Sequence, residues 1–150
     1  MKQDRKIVSA TREQLAALCW RKKDGEPQVL LITSRETGRW VLPKGWPMRG
    51  LSNTKAAQQE AWEEAGVTGD PGKTVGYYLY EKILYRDLKN ESTVPCRVEV
   101  IALKVTGLAK RYPESKQRQR KWFSLETAAT KVHEPELIDI FKGLRVKDLT

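Results

Sequence analysis

The stretch Gly45-Trp-Pro-Met-Arg-Gly-Leu-Ser-Asn-Thr-Lys-Ala-Ala-Gln-Gln-Glu-Ala-Trp-Glu-Glu-Ala-Gly-Val67 decides how this chain is read. Its second half predicts a helix over Asn53 to Ala65. Ser52 or Asn53 supplies a capping side chain, good helix formers follow, and Gly66 stands where a left-handed residue closes the last turn. Glu60, Glu63 and Glu64 fall at i, i+3 and i+4 and so share one side of that helix. Like charges at this spacing cost about 0.2–0.5 kcal/mol per pair. The helix dipole opposes them in the C-terminal half, and Lys55, the only cation on the helix, lies more than a turn away. A divalent ion would offset the repulsion, and an oxygen-only donor set favours magnesium or manganese over zinc. A solvated acidic face is the alternative on these residues alone.

The residues in front of the helix shift the balance. Arg39-Trp-Val-Leu-Pro-Lys-Gly45 delivers a short strand into a turn, where Pro43 fixes φ and Gly45 allows backbone carbonyls to approach a ligand closely. Lys44 and Arg49 place positive charge beside the acidic face. Metal-binding carboxylates next to phosphate-binding cations suit phosphoryl chemistry better than either feature alone.

Outward from this segment, Gln14 to Arg21 and Gln28 to Ser34 flank Lys23-Asp24-Gly25-Glu26 and predict a β-hairpin. Trp40 to Leu42 is a further short strand. Thr74 to Tyr85 and Cys96 to Val105 are longer β-rich runs separated by a polar loop from Asp87 to Thr93, and Lys121-Trp122-Phe123 is a last short strand. Leu125 to Val132 and Glu134 to Leu144 predict two C-terminal helices, the second with Pro135 in its first turn. Strands interleaved with helices predict an α/β (α+β) fold, a mixed β-sheet covered by helices on both faces, in a single domain spanning 1–150 with the first dozen residues loosely held.

The 150 residues carry a net charge of +9, a field that draws polyanions such as nucleotides, polyphosphates or nucleic acid. Cys19 and Cys96 sit in apolar runs without metal-ligand spacing, as buried free thiols of a reducing compartment do. No run approaches the length of a membrane span, and the N-terminus lacks the apolar centre of a secretory signal, so a cytoplasmic protein is expected. His133, the only histidine, has no partner at ligand spacing and reads as a surface or capping residue.

Gly45 through Val67 resembles the Nudix box, G-x5-E-x7-R-E-U-x-E-E-x-G-U with U a bulky aliphatic residue. Gly45, Glu60, Glu63, Glu64, Gly66 and Val67 stand in register. The chain departs from the pattern at Leu51, where the box has Glu, at Gln59, where it has Arg, and mildly at Ala61. The flanks, Thr33 to Met48, Gln117 to Ser124 and Glu134 to Leu137, are similar to bacterial members near the diphosphoinositol polyphosphate phosphohydrolases and diadenosine polyphosphate hydrolases.

The resemblance implies a Nudix-type α/β/α sandwich and a magnesium-dependent pyrophosphohydrolase. Glu60, Glu63 and Glu64, with a carbonyl from Lys44-Gly45, are then the metal-holding residues. Glu64 and Glu60 are the catalytic candidates, with Glu64 the first choice for orienting or deprotonating the attacking water. Glu114 is the candidate for a further carboxylate supplied from a loop. Arg39, Lys44, Arg49, Trp46, Arg118 and Arg120 are the substrate-binding candidates, the last two as a clamp on a polyphosphate tail because guanidinium groups grip phosphate bidentately. The box arginine is expected to hold Glu60, which Gln59 can imitate only with a neutral amide, so the departures imply weakened catalysis. The substrate expected is small and phosphate-rich: a nucleoside-diphosphate-linked compound, a dinucleoside polyphosphate or a diphosphoinositol polyphosphate. The competing reading is a Nudix-fold binding module with weak or no turnover. RNA binding through the basic surface is the least favoured of the three.

Overall fold

The computed structural model describes residues 10–86 and 91–150. Strand β1 (Arg12–Lys23) and strand β2 (Glu26–Thr33) form the expected hairpin, Trp20 pairing with Val29 and Lys23 with Glu26. The connection is Asp24-Gly25, with φ of 51° and 83°. Two successive left-handed residues match the right-handed twist of the strands they join.

Three elements follow the hairpin. β3 (Trp40–Val41) pairs with β2, and Lys44–Gly45, expected as a turn, forms a two-residue strand β4 antiparallel to β1 through Leu15↔Gly45 and Ala16↔Lys44. The reason is vacancy along β1. The β1–β2 ladder ends at Trp20↔Val29, so the N-terminal half of β1 would otherwise leave backbone groups unpaired on that side, and β4 takes up those at Leu15 and Ala16. Helix α1 (Asn53–Ala65) begins at Ser52, whose Oγ accepts the Lys55 N–H at 3.1 Å, and ends at Gly66 with φ 68°.

β5 (Val67–Arg86) and β6 (Glu91–Leu108) are longer than the β-rich runs in the sequence suggest. β5 starts seven residues before Thr74 and absorbs Gly69, Pro71 and Gly72 through register shifts between Thr68 and Gly69 and between Pro71 and Thr74. An edge strand tolerates such bulges and a proline, because one side of its backbone has no ladder to keep. Of the expected loop from Asp87 to Thr93, residues 87–90 lie outside the described residues and Glu91 to Thr93 already belong to β6. β7 (Arg120–Ser124) pairs with β2, and α2 (Leu125–Lys131), α3 (Pro135–Gly143) and an unforeseen α4 (Val146–Leu149) complete the chain.

The sheet runs β3-β2-β1-β6-β5, with β4 on β1 and β7 on β2. It is mixed, because β1 and β6 run parallel while the other pairs are antiparallel. β1 sorts its side chains between two cores: Ala16, Leu18 and Trp20 face α2, α3 and α4, whereas Leu15, Ala17 and Cys19 face α1 through Ala56, Ala57, Ala61 and Ala65. Small alanines on α1 let the helix lie close against the sheet, so the carboxylates beyond them are held near β4. Cys19 and Cys96 are both buried free thiols, as expected. Among the described residues no helix is long and apolar enough to cross a membrane.

Candidate active site

Helix α1 presents Glu60 and Glu64 into a pocket of about 360 Å³, together with β4, the segment after β2 and the C-terminal part of β5. Glu64 is buried and fixed from two sides. Its Oε1 accepts the Lys44 backbone N–H at 3.3 Å, and its Oε2 lies 3.8 Å from Arg118 Nη2. Glu60 stands against Gly45, where a Cβ would come within 2.5 Å of the Glu60 Cδ and closer still to one of its oxygens. The glycine therefore makes room for a carboxylate, a different service from the carbonyl approach expected of it.

Burial, the hydrogen bond to Glu64 and the nearby charge of Glu64 and Glu63 push Glu60 up to about 8. Glu64 is also raised by burial, against the opposing pull of Arg118. The pair thus holds back a proton that a divalent ion would displace. Two close carboxylates, a glycine cradle and an all-oxygen donor set fit magnesium or manganese.

Glu63 is placed otherwise than the shared helix face implies. It accepts a hydrogen bond from Gln59 Nε2 at 2.5 Å and does not line the pocket. Gln59 is therefore engaged with Glu63 and not with Glu60, which corrects the expected pairing; the i, i+4 spacing of 59 and 63 favours that choice over the sequence neighbour. Among the described residues no three His, Cys, Asp or Glu side chains are gathered tightly enough to hold a metal ion by themselves.

Glu114 packs beside α1 without entering the pocket: its backbone N–H donates to the Glu63 carbonyl at 3.0 Å and its carboxylate accepts from Arg118 Nε at 2.7 Å. Of the cationic candidates, Arg39, Lys44 and Arg118 line the pocket and Arg49 and Arg120 do not. Arg39 Nη2 meets Glu134 Oε2 at 3.2 Å. Burial lowers the Lys44 pKa against the pull of Glu64, and its Nζ stands 5.0 Å from the Tyr80 ring centre. Trp46, 36% exposed, lies at the rim.

Arg120 corrects the clamp expected of it. Nη1 donates to the Ala65 carbonyl at 2.6 Å, Nη2 donates to the Ala109 carbonyl at 2.7 Å, and the guanidinium covers the Tyr112 ring. Carbonyls at the end of a helix have no partner within it, and a cation there also meets the negative end of the dipole. Arg120 thus answers from another element the charge problem posed by three glutamates late in α1.

Arg35, from the segment after β2, and Lys82, from β5, line the pocket and carried no signal in the sequence. Tyr80, two residues before Lys82 on β5, also lines it and donates to buried Gln14 Oε1 at 2.6 Å. Glu134, which resembles a helix cap beside Pro135, makes no capping bond and instead pairs with Arg39; its other oxygen is buried without a partner. His133 is exposed, as expected.

Residues 12–143 match the family model described as the NUDIX domain. The chain is similar to diphosphoinositol polyphosphate phosphohydrolase 3-alpha of Mus musculus, 29% identical over 139 residues that cover 90% of this chain and 79% of the relative. It is 36% identical to chloroplastic Nudix hydrolase 21 of Arabidopsis thaliana over 105 residues, 69% of this chain and 50% of that protein. In fold it is similar to a NUDIX hydrolase from Nitrosomonas europaea, with a TM-score of 0.65 at 18% identity over 89% of this chain and 87% of that one. The C. elegans Ap4A hydrolase superposes with a TM-score of 0.55 at 20% identity, covering 89% and 95% of the two chains. With nearly all of its described length inside the family's model, the chain belongs to the Nudix family.

Proposed function

We infer that this Nudix pyrophosphohydrolase cleaves a pyrophosphate bond in a small, phosphate-rich substrate: a nucleoside-diphosphate-linked compound, a dinucleoside polyphosphate or a diphosphoinositol polyphosphate. The observation that carries the reading is the setting of the Glu60–Glu64 pair, in a pocket whose walls hold Arg35, Arg39, Lys44, Lys82 and Arg118. Cationic walls around two carboxylates attract an anion that neither feature alone would retain. The likeness to the mouse diphosphoinositol polyphosphate phosphohydrolase over 90% of this chain supports the substrate class.

Glu60 and Glu64 would hold magnesium or manganese, with Glu63 joining them once released from Gln59 and a Lys44-Gly45 carbonyl as a further oxygen. Such an ion, when bound, neutralises phosphoryl charge and eases ionisation of water. Glu64 would orient a water, and Arg39 and Lys44 would bind phosphate oxygens. Trp46 at the rim would cover whatever group the phosphates carry.

The test is a panel of nucleotides, dinucleoside polyphosphates and diphosphoinositol polyphosphates incubated with Mg²⁺. Steady phosphate or nucleotide release, abolished by EDTA, is the expected outcome. Binding without release would favour the alternative of a module without turnover, which Leu51 and Gln59 motivate.

A further inference from the structure

The box position that normally carries arginine is Gln59, and its amide is spent on Glu63. A guanidinium nevertheless reaches the carboxylate of Glu64, and it comes from the loop before β7. Arg118 is 10% exposed, and each of its three nitrogens is directed at a different group: Nε to Glu114 Oε1 at 2.7 Å, Nη1 to the Thr33 carbonyl at 3.1 Å, and Nη2 toward Glu64 Oε2 at 3.8 Å. The loop that carries it is tied to α1 by the Glu114 N–H on the Glu63 carbonyl and to β2 by the Gln119 N–H on Thr33 Oγ1 at 2.8 Å. A fork held at both ends is a support; a side chain waiting for phosphate would leave its donors free.

We propose that Arg118 is a positioning residue that gives Glu64, from the loop before β7, a cationic support from outside the box, and that Glu114 is its anchor. This rests on the reading of Glu64 as a metal-holding carboxylate. Glu64 is then confined between the Lys44 N–H on one oxygen and the Arg118 guanidinium on the other, which fixes the carboxylate plane before any ion arrives. The arginine missing at position 59 was expected at Glu60, so the support from Arg118 falls on the other carboxylate of the pair and comes from outside the box.

The experiment titrates Mn²⁺ into the substrate-free 150-residue chain by electron paramagnetic resonance, and measures kcat and KM on short and long polyphosphate substrates. The chains compared are the parent, Arg118→Gln, Arg118→Lys, Glu114→Gln and the double variant Glu114→Gln/Arg118→Gln. Partners that orient metal ligands typically contribute about 10–100-fold to metal affinity or activity. Arg118→Gln is therefore expected to weaken Mn²⁺ binding about tenfold and to lower kcat by a similar factor, with KM within about threefold for all chain lengths. Arg118→Lys, which keeps the charge but cannot span the three acceptors, should fall between. The double variant should be no worse than Arg118→Gln by more than about twofold, since an anchor is redundant once its fork is gone.

Unchanged or tighter Mn²⁺ binding in Arg118→Gln would overturn the proposal, because a cation that only competes with the metal gives that result. KM rising with phosphate chain length at constant kcat would also overturn it, returning Arg118 to a grip on substrate. Should Arg118→Gln fail to fold, Arg118→Lys and Glu114→Gln carry the same comparison, and parental Mn²⁺ affinity in both refutes the inference. A parent that binds no Mn²⁺ at all would instead sink the reading of the site on which it rests.

Discussion

Gly45→Ala isolates the part of the site that depends on an absent side chain. Gly45 does not have a positive φ, so alanine fits its backbone without strain. The obstacle is steric: the new Cβ would stand 2.5 Å from Glu60 Cδ. Two carbons rest at about 3.5–4.0 Å, so the carboxylate must retreat by about 1 Å. Glu60 is the end of a flexible side chain, and moving it off its rotamer costs about 0.5–1.5 kcal/mol, enough to lower Tm by only a few degrees in a chain of this length. A displacement of about 1 Å in a reacting constellation costs about 100-fold in rate, or about 2.7 kcal/mol in the barrier. The expected result is a cooperative unfolding curve close to the parent's together with a kcat about 100-fold lower at saturating Mg²⁺. A variant that keeps kcat within about threefold would refute the argument that Glu60 must lie against β4 to function.

Glu64→Gln should lower kcat by at least about tenfold while the far-ultraviolet circular dichroism stays unchanged; a smaller loss would remove Glu64 from the reaction. Arg120→Ala should leave KM alike for short and long phosphate chains but lower stability by about 3 kcal/mol, since the Ala65 and Ala109 carbonyls lose charged donors; an urea unfolding curve measures it, and a KM that rises with chain length would restore the clamp. Neutralising Arg35 and Lys82 together should raise KM most for the longest phosphate chains, and equal effects across the panel would place them outside the binding surface. Because Glu60 titrates near 8 in the metal-free protein, Mg²⁺ binding at pH 7 should release close to one proton, and at pH 9 almost none, by calorimetry in buffers of differing ionisation enthalpy. The same raised pKa means that the folded metal-free protein binds the extra proton between about pH 4.5 and 8, so Tm without metal should fall as pH rises through that range and recover on adding Mg²⁺.

Local signals were legible where one residue type has one physical reason. Ser52, Gly66 and the run between them define α1, and Asp24-Gly25 defines the hairpin, because caps and tight turns depend on a few neighbouring atoms. Elements that exist for the sake of distant partners were not legible. β4 is two residues long and forms because β1 has open backbone groups there, and α4 is four residues held by the burial of Leu149. The start of β5 was hidden by Gly69, Pro71 and Gly72, which read as a loop until the edge position explains them. In the site, the positions of Glu60 and Glu64 followed from helical spacing, whereas the partners of Glu63, Arg118 and Arg120 did not. Charge in a sequence shows what attracts polyanions; it does not show which cations are already engaged with a carbonyl or a carboxylate.

The parallel pairing of β1 with β6 also bears on how the chain is made. Among the described strands β1 is synthesised first, and its residues Leu15 to Trp20 are buried on both faces of the finished sheet. Its hairpin partner β2 follows at once, but the ladder from Arg12↔Cys96 to Trp20↔Lys104 cannot start until most of the chain has left the ribosome. At about 5–20 residues per second, that wait is on the order of ten seconds. During it the nascent hairpin carries an apolar strand with one open edge, and closing so distant a contact is slow even after the partner emerges. Ribosome-bound chains halted before Cys96 would therefore bind a chaperone through Leu15 to Trp20, and those released after Leu108 would let it go.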